Sequence, residues 1–425
     1  MGAGLRDLLT PRGDRVIFWC WVALCLMSLA VLWSVTEPII GPYENVDPGV
    51  PKSVFWRQLM WAVVGYAGLV VASRIPLRHL DNLAPVPWLV SLVLLLLVPV
   101  VGPVIMGARR WLVFGPVSLQ PAELGKVSCI ILNASLLARG VDSQRKSLVT
   151  GATLLLTAIP AVLVLKQPDL GTSLVFGATW VGMIFWFGMP GIFLLVAASA
   201  VASAVIMFYS DAISHQAWPW GAYLLLLLGV LYYVRWSIPA KVTMLVANVL
   251  AGTAIPVFWT HLKGYQQDRV MAYFKPAEHA FSAGYQTLQS KVAIGSGGLF
   301  GTHYLKGTQK GLAFLPERQT DFIFSVVGEE LGFVGALFVV GLFFVIIMRG
   351  VDHAAAVRKP FSRFLAVGIV TYLAFHVVVN VSITTGLMPV TGIPLPLMSY
   401  GGSNLLVTSS MLGLLLNVSS KSFDV

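Results

Sequence analysis

The sequence predicts an all-α protein that crosses a membrane many times. Only 11% of its 425 residues are charged and 57% are hydrophobic, whereas soluble domains are usually about 25% charged. The apolar residues are collected in runs of roughly 20, the length that an α-helix needs to cross the hydrocarbon core. Because helices satisfy their own backbone hydrogen bonds in lipid, such long runs favour helices over strands.

Twelve apolar runs are candidate spans, and the first is too long for a secretory signal peptide. They cover 16–36, 54–73, 84–104, 119–138, 148–166, 170–188, 190–209, 218–234, 242–259, 322–348, 364–384 and 402–418. No strong internal repeat or low-complexity tail divides them, so a single membrane domain, 1–425, is the simplest organisation. The three cysteines lie inside apolar runs and indicate neither a disulfide nor a zinc framework.

Lysine and arginine are distributed unevenly between alternate loops. With the N-terminus in the cytoplasm, fifteen of the 28 basic residues fall in cytoplasmic segments and five in short outer segments. Seven more lie in one long outer loop, and Lys126 lies inside a span. Since cytoplasmic loops are enriched in basic residues, we expect both termini to be cytoplasmic. The net charge of +10 indicates membrane-facing loops and an anionic substrate rather than nucleic acid.

Two outer segments are candidates for function. The first is the loop 260–321, because long connections without regular structure are uncommon unless they are functional. Its stretch AIGSGGLFG (293–301) lacks the lysine and the flanking strand of a phosphate-binding loop and predicts a flexible or tightly turned loop over a groove instead. The second, GLMPVTGIPLPLMSYGG (386–402), contains prolines that forbid a regular helix. We expect it to be buried in protein or to face water.

Ionisable residues at membrane depth are functional candidates by default. Glu123 and Lys126 are three apart and share a helix face; they either neutralise each other or present Lys126 to an anion in an outer cavity. Asp169 either caps the next helix or belongs to a site. Arg109 and Arg110 suit either lipid headgroups or a pyrophosphate.

A further charged cluster lies in FLPERQTDFIF (314–324), at the outer start of a span. Taken alone, Asp321 is interpreted as a helix N-cap, because aspartate favours helix starts. Its place at the end of the long loop also suits a general base near the headgroup plane. His376 and Asn380, four residues apart, share a helix face, where hydrogen bonding to neighbouring helices is the simpler interpretation.

Five stretches, in register along nearly the whole chain, resemble the SEDS family (RodA/FtsW/SpoVE), and its RodA branch most of all. They are GARRWLVFGPVSLQPAELGK (107–126), QPDLGTS (167–173), GYQTLQSKVAIGSGGLFG (284–301), GTQKGLAFLPERQTDFIFSVVGEELGFVGA (307–336) and GLMPVTGIPLPLMSYGGSNLL (386–406). The resemblance implies a peptidoglycan glycosyltransferase that polymerises lipid II on the outer face of the bacterial cytoplasmic membrane during cell elongation. It implies a class B penicillin-binding protein as partner, a transpeptidase, with MreC/MreD-type proteins and membrane lipids around it.

The resemblance also implies site residues. The family's essential aspartate falls on Asp321, which we predict to be the catalytic base. Charge that grows on a departing pyrophosphate needs cations, and a divalent ion, Mg²⁺ or Mn²⁺, is one candidate. The residues predicted to bind substrate, from the family pattern or from this need for charge, are Arg109, Glu123, Lys126, Asp169, Lys291 and Arg318.

This chain departs from the family pattern in three ways. Ala313 and Gln319 stand where the family often has Glu and His, so a shared mechanism does not require those two. His376 stands where Gln is common. The family core has ten spans, so we assign the two surplus spans to an inserted hairpin at 210–241, which leaves 260–321 as an extracytoplasmic catalytic loop.

Two other functions stay open on the sequence alone. A lipid II flippase or transporter would use broken helices and intramembrane charges. Such a protein would place ionisable groups near the midplane, whereas here they concentrate at the outer face. A non-catalytic scaffold of the elongation machinery would tolerate Asp321→Asn without loss of polymer synthesis.

Overall fold

The long helices follow the predicted apolar runs, whereas three short helices and a pair of short strands that were not predicted lie between those runs. The computed structural model describes residues 11–37, 50–105, 107–115, 117–141, 143, 145–188, 191–216, 218–262, 264–275, 284–307 and 317–422. The helices in these ranges are α1 (Arg15–Thr36), α2 (Ser53–Ala72), α3 (Leu77–Asn82), α4 (Pro85–Val101), α5 (Pro121–Gly140), α6 (Lys146–Lys166), α7 (Leu170–Trp186), α8 (Gly191–Phe208), α9 (Trp218–Tyr233), α10 (Ile238–His261), α11 (Gly264–Phe274), α12 (Tyr285–Gly297), α13 (Ile323–Ala356), α14 (Pro360–Thr384) and α15 (Gly402–Ser422). A π-helical turn, Tyr209–Ile213, follows α8, and β1 (Leu112–Phe114) pairs antiparallel with β2 (Val117–Leu119).

Eight segments in the described ranges are long and apolar enough to cross a membrane: α1, α2, α5, α6, α8 with its π-helical turn, α10, α13 and α14. Three shorter apolar helices, α4, α7 and α9, and the last helix, α15, cover the remaining predicted spans. The predicted all-α, multi-pass class is confirmed. The largest boundary error is the end of α13, which was predicted at residue 348 and lies at Ala356. The additional turns of this helix contain Arg349 and His353, and both side chains bind Asp14.

The chain forms two compact units, Met1–Phe187 with Gln286–Val425, and Gly188–Tyr285. In the first unit, α14 is the central helix: it packs against α5, α7, α13 and α15, and α15 also packs along α2. Helix α13 defines the two ends of this unit, because Asp321 precedes its start, and Arg349 and His353 near its end bind Asp14 just before α1. We call the end that holds the start of α13 the Asp321 end, and the end that holds the start of α1 the opposite end.

The second unit contains α8, the π-helical turn, α9, α10 and α11, and it includes the predicted inserted hairpin, 210–241. Polar side chains hold these helices together. The Tyr223 hydroxyl lies 2.8 Å from Asn248 Oδ1, and Asn248 Nδ2 donates to Ser199 Oγ at 2.9 Å. Trp220 Nε1 donates to Ser203 Oγ at 3.0 Å. The groups satisfy one another, as buried polar atoms in native proteins generally do.

Helix α13 is interrupted at Gly332, which the sequence did not predict. This glycine has φ 67° and ψ −165°, a conformation that L-residues with a side chain rarely adopt. The next two amides, of Phe333 and Val334, donate to the carbonyls of Gly298 and Leu299 at 2.9 and 3.1 Å. The first five residues of the glycine-rich stretch 293–301 belong to α12, where a loop was predicted, and only 298–301 form a tight turn. The backbone of this turn is inserted at the break in α13.

Candidate active site

Asp321 lies in the turn that leads into α13. Glu317 organises this turn: its carbonyl accepts from the Thr320 amide at 3.0 Å, and its Oε2 accepts from Thr320 Oγ1 at 2.9 Å. The N-cap position of α13 is taken by Phe322. The interpretation of Asp321 as N-cap is therefore wrong, because the helix begins one residue later than predicted and Asp321 precedes the cap.

Asn380 fixes the peptide of Asp321. Its Nδ2 donates to the Asp321 carbonyl at 2.8 Å and to the Ile393 carbonyl at 2.9 Å. Asn380 is completely buried, so water cannot reach these two carbonyls. The Asn380 amide supplies the hydrogen bonds that buried carbonyls need. The side-chain amide of Asn380 thus holds the Asp321 turn against the proline-rich segment after α14.

The proline-rich segment makes further backbone contacts with the turn. Ser399 Oγ donates to the Thr320 carbonyl at 2.7 Å and accepts from the Leu395 amide at 2.8 Å. The Tyr400 amide donates to the Gln319 carbonyl at 2.8 Å. No regular helix forms between Thr385 and Gly401, as its prolines predicted. Of the two predicted surroundings, burial in protein holds for Val390, Ile393 and residues 395–399, whereas most of the other residues are partly exposed.

The Asp321 carboxylate faces Gly392. A β-carbon added to Gly392 would lie 3.5 Å from Asp321 Oδ2, and its φ of +75° also favours glycine. Gly171, in the first turn of α7, packs more closely on the neighbouring residue: a β-carbon there would lie 2.5 Å from the Thr391 carbonyl oxygen. The start of α7 and the Asp321 turn therefore contact consecutive residues of the proline-rich segment.

Asp169 caps α7, as one of its two interpretations predicted. Its Oδ1 accepts from the Thr172 amide at 3.1 Å, and its Oδ2 accepts from Gln120 Nε2 at 3.3 Å. Arg110 fixes the residues just before the cap: its Nε donates to the Gln167 carbonyl at 3.1 Å. Arg110 therefore holds backbone here, and Asp169 has its carboxylate engaged on both oxygens.

Glu123 and Lys126 form a buried ion pair. Lys126 Nζ lies 2.8 Å from Glu123 Oε1, and the side chains are only 2% and 3% exposed. Asn404 Nδ2 donates to the other Glu123 oxygen at 3.3 Å. Lys126 Nζ also lies 5.2 Å from the centroid of the Tyr372 ring. Of the two interpretations of this pair, the geometry matches mutual neutralisation among neighbouring helices.

Helix α14 connects the ion pair with Asp321. His376 Nδ1 lies 2.9 Å from the Tyr372 carbonyl, which assigns its proton to Nδ1 and leaves Nε2 as an acceptor 3.5 Å from Lys126 Nζ. Asn380, one turn later on the same face, binds the Asp321 carbonyl. The predicted hydrogen bonding of both residues to neighbouring elements is confirmed.

The remaining predicted cations have different surroundings. Arg109 is exposed and donates to the Pro99 carbonyl at 2.8 Å, so it caps the end of α4. Lys291 is exposed and packs against Gly386, just after α14. The neighbouring Ser290 anchors that part of α12, because its Oγ donates to the Thr384 carbonyl at 2.6 Å. Arg318 is only 4% exposed.

Asp321, Asp169 and the Glu123–Lys126 pair thus lie close to the same elements, α14 and the proline-rich segment. Arg109 instead caps the end of α4. Ala313 lies in 308–316, outside the described residues. The analysis of the sequence missed Ser399 and Asn404. The polar residues of SYGGSN (399–404), at the start of the last span, were the available signal. Among the described residues, no group of three His, Cys, Asp or Glu side chains could hold a metal ion.

Comparison with known proteins identifies the family. The model of the FtsW, RodA and SpoVE family, described as "Cell cycle protein", matches residues 14–218 and 220–423. The chain belongs to this family. The predicted family resemblance is therefore confirmed over almost the whole sequence.

Members of the family with curated names and solved structures are similar over their full length. The peptidoglycan glycosyltransferase MrdB of Escherichia coli K12 is 35% identical, with 95% of this chain and 93% of the relative covered. A probable peptidoglycan glycosyltransferase FtsW of Geobacter metallireducens is 36% identical, with 96% and 95% covered. The crystal structure of Thermus thermophilus RodA matches with a TM-score of 0.61 at 27% identity, covering 97% and 98%. A chain from a study of polymerisation and crosslinking by a peptidoglycan synthase complex matches with a TM-score of 0.67 at 29% identity, covering 97% and 99%.

Proposed function

We propose that this chain polymerises lipid II into glycan strands, with Asp321 as general base. Its similarity to family members named peptidoglycan glycosyltransferases extends over nearly the full length of both chains, and this confirms the predicted enzyme class. The observation that carries the site assignment is the pair of hydrogen bonds from Asn380, which fixes the Asp321 peptide beside the proline-rich segment. A preorganised catalytic group needs this kind of support.

The proposed reaction transfers a glycan from a lipid pyrophosphate to a sugar hydroxyl of a second lipid-linked disaccharide. The hydroxyl oxygen attacks the anomeric carbon, the bond to pyrophosphate breaks, and Asp321 accepts the hydroxyl proton. Pyrophosphate is already a good leaving group, so one carboxylate suffices, in contrast to the two carboxylates of glycoside hydrolases. The nearby N-terminus of α13 favours the ionised form of Asp321 that a base requires.

The departing pyrophosphate needs positive charge. Lys291 is the predicted cation best placed to supply it, since it is exposed and lies beside the segment that follows α14. We propose that Lys126, which is neutralised by Glu123, keeps the shape of the site instead. Magnesium suits sites with one or two carboxylates plus substrate phosphates, so Asp321 together with the pyrophosphate fits such an ion. Mg²⁺ or Mn²⁺ bound there would neutralise the growing charge.

The family likeness also supports a location and a partner. The chain is a multi-pass membrane protein, and we propose the bacterial cytoplasmic membrane, with both termini in the cytoplasm and the Asp321 end outside. The chain from the study of a peptidoglycan synthase complex supports a crosslinking partner. We propose a class B penicillin-binding protein for that role, with MreC/MreD-type proteins in the same machinery. On this proposal, 260–321 is the catalytic loop and 210–241 is an insertion in the family core.

The decisive test measures polymerisation of fluorescent lipid II by the purified chain together with its transpeptidase partner. Asp321→Asn should lower the rate by roughly 10²–10⁴-fold, because general base catalysis is removed without a change of shape. Asp352→Asn, which neutralises an exposed acid near the far end of α13, is the matched control and should polymerise normally. A wild-type rate for Asp321→Asn would exclude the assigned role. Movement of lipid II across liposomes without polymer would support a flippase instead.

A further inference from the structure

A cavity at the opposite end of the first unit is not explained by glycan polymerisation. It has a volume of about 510 Å³, and residues of α3, the end of α5 and the start of α14 line it. Helix α5 carries Glu123 near the Asp321 end and Arg139 at this cavity. Sixteen residues of helix separate the two, or roughly 24 Å at 1.5 Å per residue. The cavity is therefore remote from the candidate active site.

Three cations face this cavity: Arg78 on α3, Arg139 on α5, and Lys359 at the N-cap of α14. The cavity also contains one carboxylate, Asp81, so its formal charge is 3 − 1 = +2. The Asp81 carboxylate already has partners within the protein, because its Oδ1 accepts from Ser135 Oγ at 2.6 Å and lies 3.7 Å from Arg139. Arg78 and Lys359 have no ion-pair partner within the described part of the chain.

Ser362 is a second, independent sign of a ligand. It lines the cavity and is only 2% exposed, yet its hydroxyl has no hydrogen-bond partner among the residues that the structure describes. Buried hydroxyls are normally hydrogen-bonded. Ser362 also lies in the first turn of α14, a helix of 25 residues, where free backbone amides and the helix dipole favour an anion.

We propose that this cavity binds a phosphate group, either of an acidic phospholipid headgroup or as free phosphate. The cations supply charge-assisted hydrogen bonds, and Ser362 supplies one from a neutral donor. Leu77 and Phe361 give the cavity an apolar wall, which suits the glycerol and the first methylenes of a lipid. The cavity lies where membrane helices end, the level at which basic pockets between helices bind acidic headgroups.

Binding is measured on the full-length chain by native mass spectrometry and by thermal stability in detergent. The probes are phosphatidylglycerol, phosphatidylcholine and inorganic phosphate. The Arg78→Gln/Lys359→Gln variant should weaken phosphatidylglycerol binding by at least about tenfold, since two charged hydrogen bonds are lost. Ser362→Ala should weaken it by roughly two- to tenfold. Arg235→Gln/Lys241→Gln removes the same charge outside the cavity and is the matched control.

Retention of phosphatidylglycerol by both cavity variants at the wild-type level would overturn the proposal, as would an equal loss in the control. Stabilisation by inorganic phosphate alone, abolished by the cavity variants, would support a soluble phosphate as the source. If the double variant does not fold, Ser362→Ala decides the question, because it changes one hydroxyl. None of these readouts depends on glycan polymerisation, so a failure here is distinct from a failure of the proposed function.

Discussion

Two buried carboxylates of the first unit, at opposite ends of the helices, each belong to a cluster that also contains a cation and a histidine. At the opposite end, Asp14 Oδ2 lies 2.6 Å from Arg349 and 2.8 Å from His353. Its amide donates to Ser419 Oγ at 2.9 Å, and its Oδ1 caps α1 at Val16. The carboxylate of Asp14 therefore joins the first and third-last helices of the chain, and its backbone amide adds the last helix.

At the Asp321 end, the cluster around Glu123 has a comparable composition, but it adjoins a different kind of element. Its partner Lys126 lies 3.5 Å from His376, and the next turn of the same helix holds the Asp321 peptide through Asn380. The Asp14 cluster joins helices to helices, whereas the Glu123 cluster borders an irregular, proline-rich backbone. A buried ion pair is thus no evidence of function by itself, and the elements that it adjoins decide its role.

The strongest effect is expected from breaking the Glu123–Lys126 pair on one side only. Glu123→Gln leaves a buried ammonium without its counter-charge, which costs about 3–5 kcal/mol. The double variant Glu123→Leu/Lys126→Met removes both charges and should regain most of that stability. Chemical unfolding in detergent measures both changes. A single variant as stable as wild type would show that the pair contributes nothing to holding this end together.

The next test compares two asparagines that each clamp two carbonyls. Asn380 binds the Asp321 and Ile393 carbonyls, and Asn417 Nδ2 binds those of Ala72 and Ile75 at 3.1 and 2.6 Å at the opposite end. Alanine at either position should lower stability by roughly 2–4 kcal/mol, because buried carbonyls lose their donor.

Only Asn380→Ala should also lower the rate of lipid II polymerisation beyond the fraction of protein that unfolds. The rate per folded molecule, with the folded fraction taken from the unfolding curve, separates positioning from stability. Equal rates per folded molecule for the two alanine variants would show that Asn380 does not position Asp321 for the reaction.

The interrupted helix α13 gives a smaller effect. Gly332→Ala should destabilise by about 1–2 kcal/mol through the left-handed backbone alone, and more because a β-carbon there would approach the Leu299 carbonyl at 2.6 Å. Gly341→Ala, in the regular half of the helix, meets nothing within 4 Å. That control should stabilise by about 0.5–1 kcal/mol. Thermal unfolding in detergent measures both, and equal shifts would contradict the role of the break.

Features that depend on neighbouring residues were predictable. Pro168 and Asp169 before an apolar run predicted the cap of α7, and the prolines of 386–402 predicted its irregular backbone. The break at Gly332 was not predictable, because it depends on the turn at Gly298, more than thirty residues earlier. Hydropathy alone therefore predicted α13 as one uninterrupted span, 322–348.

Features that depend on distant residues were missed for the same physical reason. Asp14 and His353 are 339 positions apart, so no local pattern associates them. Asn380 was recognised as a polar residue on a helix face, but its acceptor at Asp321 is 59 positions away. The identity of the proposed base came from the family resemblance, and only the structure assigned the residues that hold it.

The smallest expected effect is a pH dependence at the opposite end. Burial alone would raise the pKa of Asp14, but hydrogen bonds from His353, the Val16 amide and Arg349 hold this pKa below its ordinary value of 3.8. A carboxyl whose pKa is lowered by folding stabilises the protein above its unfolded pKa, and this contribution is lost as the pH falls through the folded pKa. Asp14→Asn should therefore be less stable than wild type at neutral pH.

Below pH 3.8 the two proteins should approach each other in stability, because wild-type Asp14 becomes protonated there. Thermal unfolding in detergent, followed from neutral to acidic pH, measures this convergence. Glu317→Gln is a useful control, since its carboxylate accepts from a neutral hydroxyl and not from a cation. A constant difference between Asp14→Asn and wild type over the whole range would mean that the lost stability comes from packing at the chain ends. The ion pair with Arg349 would then contribute no more than a surface pair does.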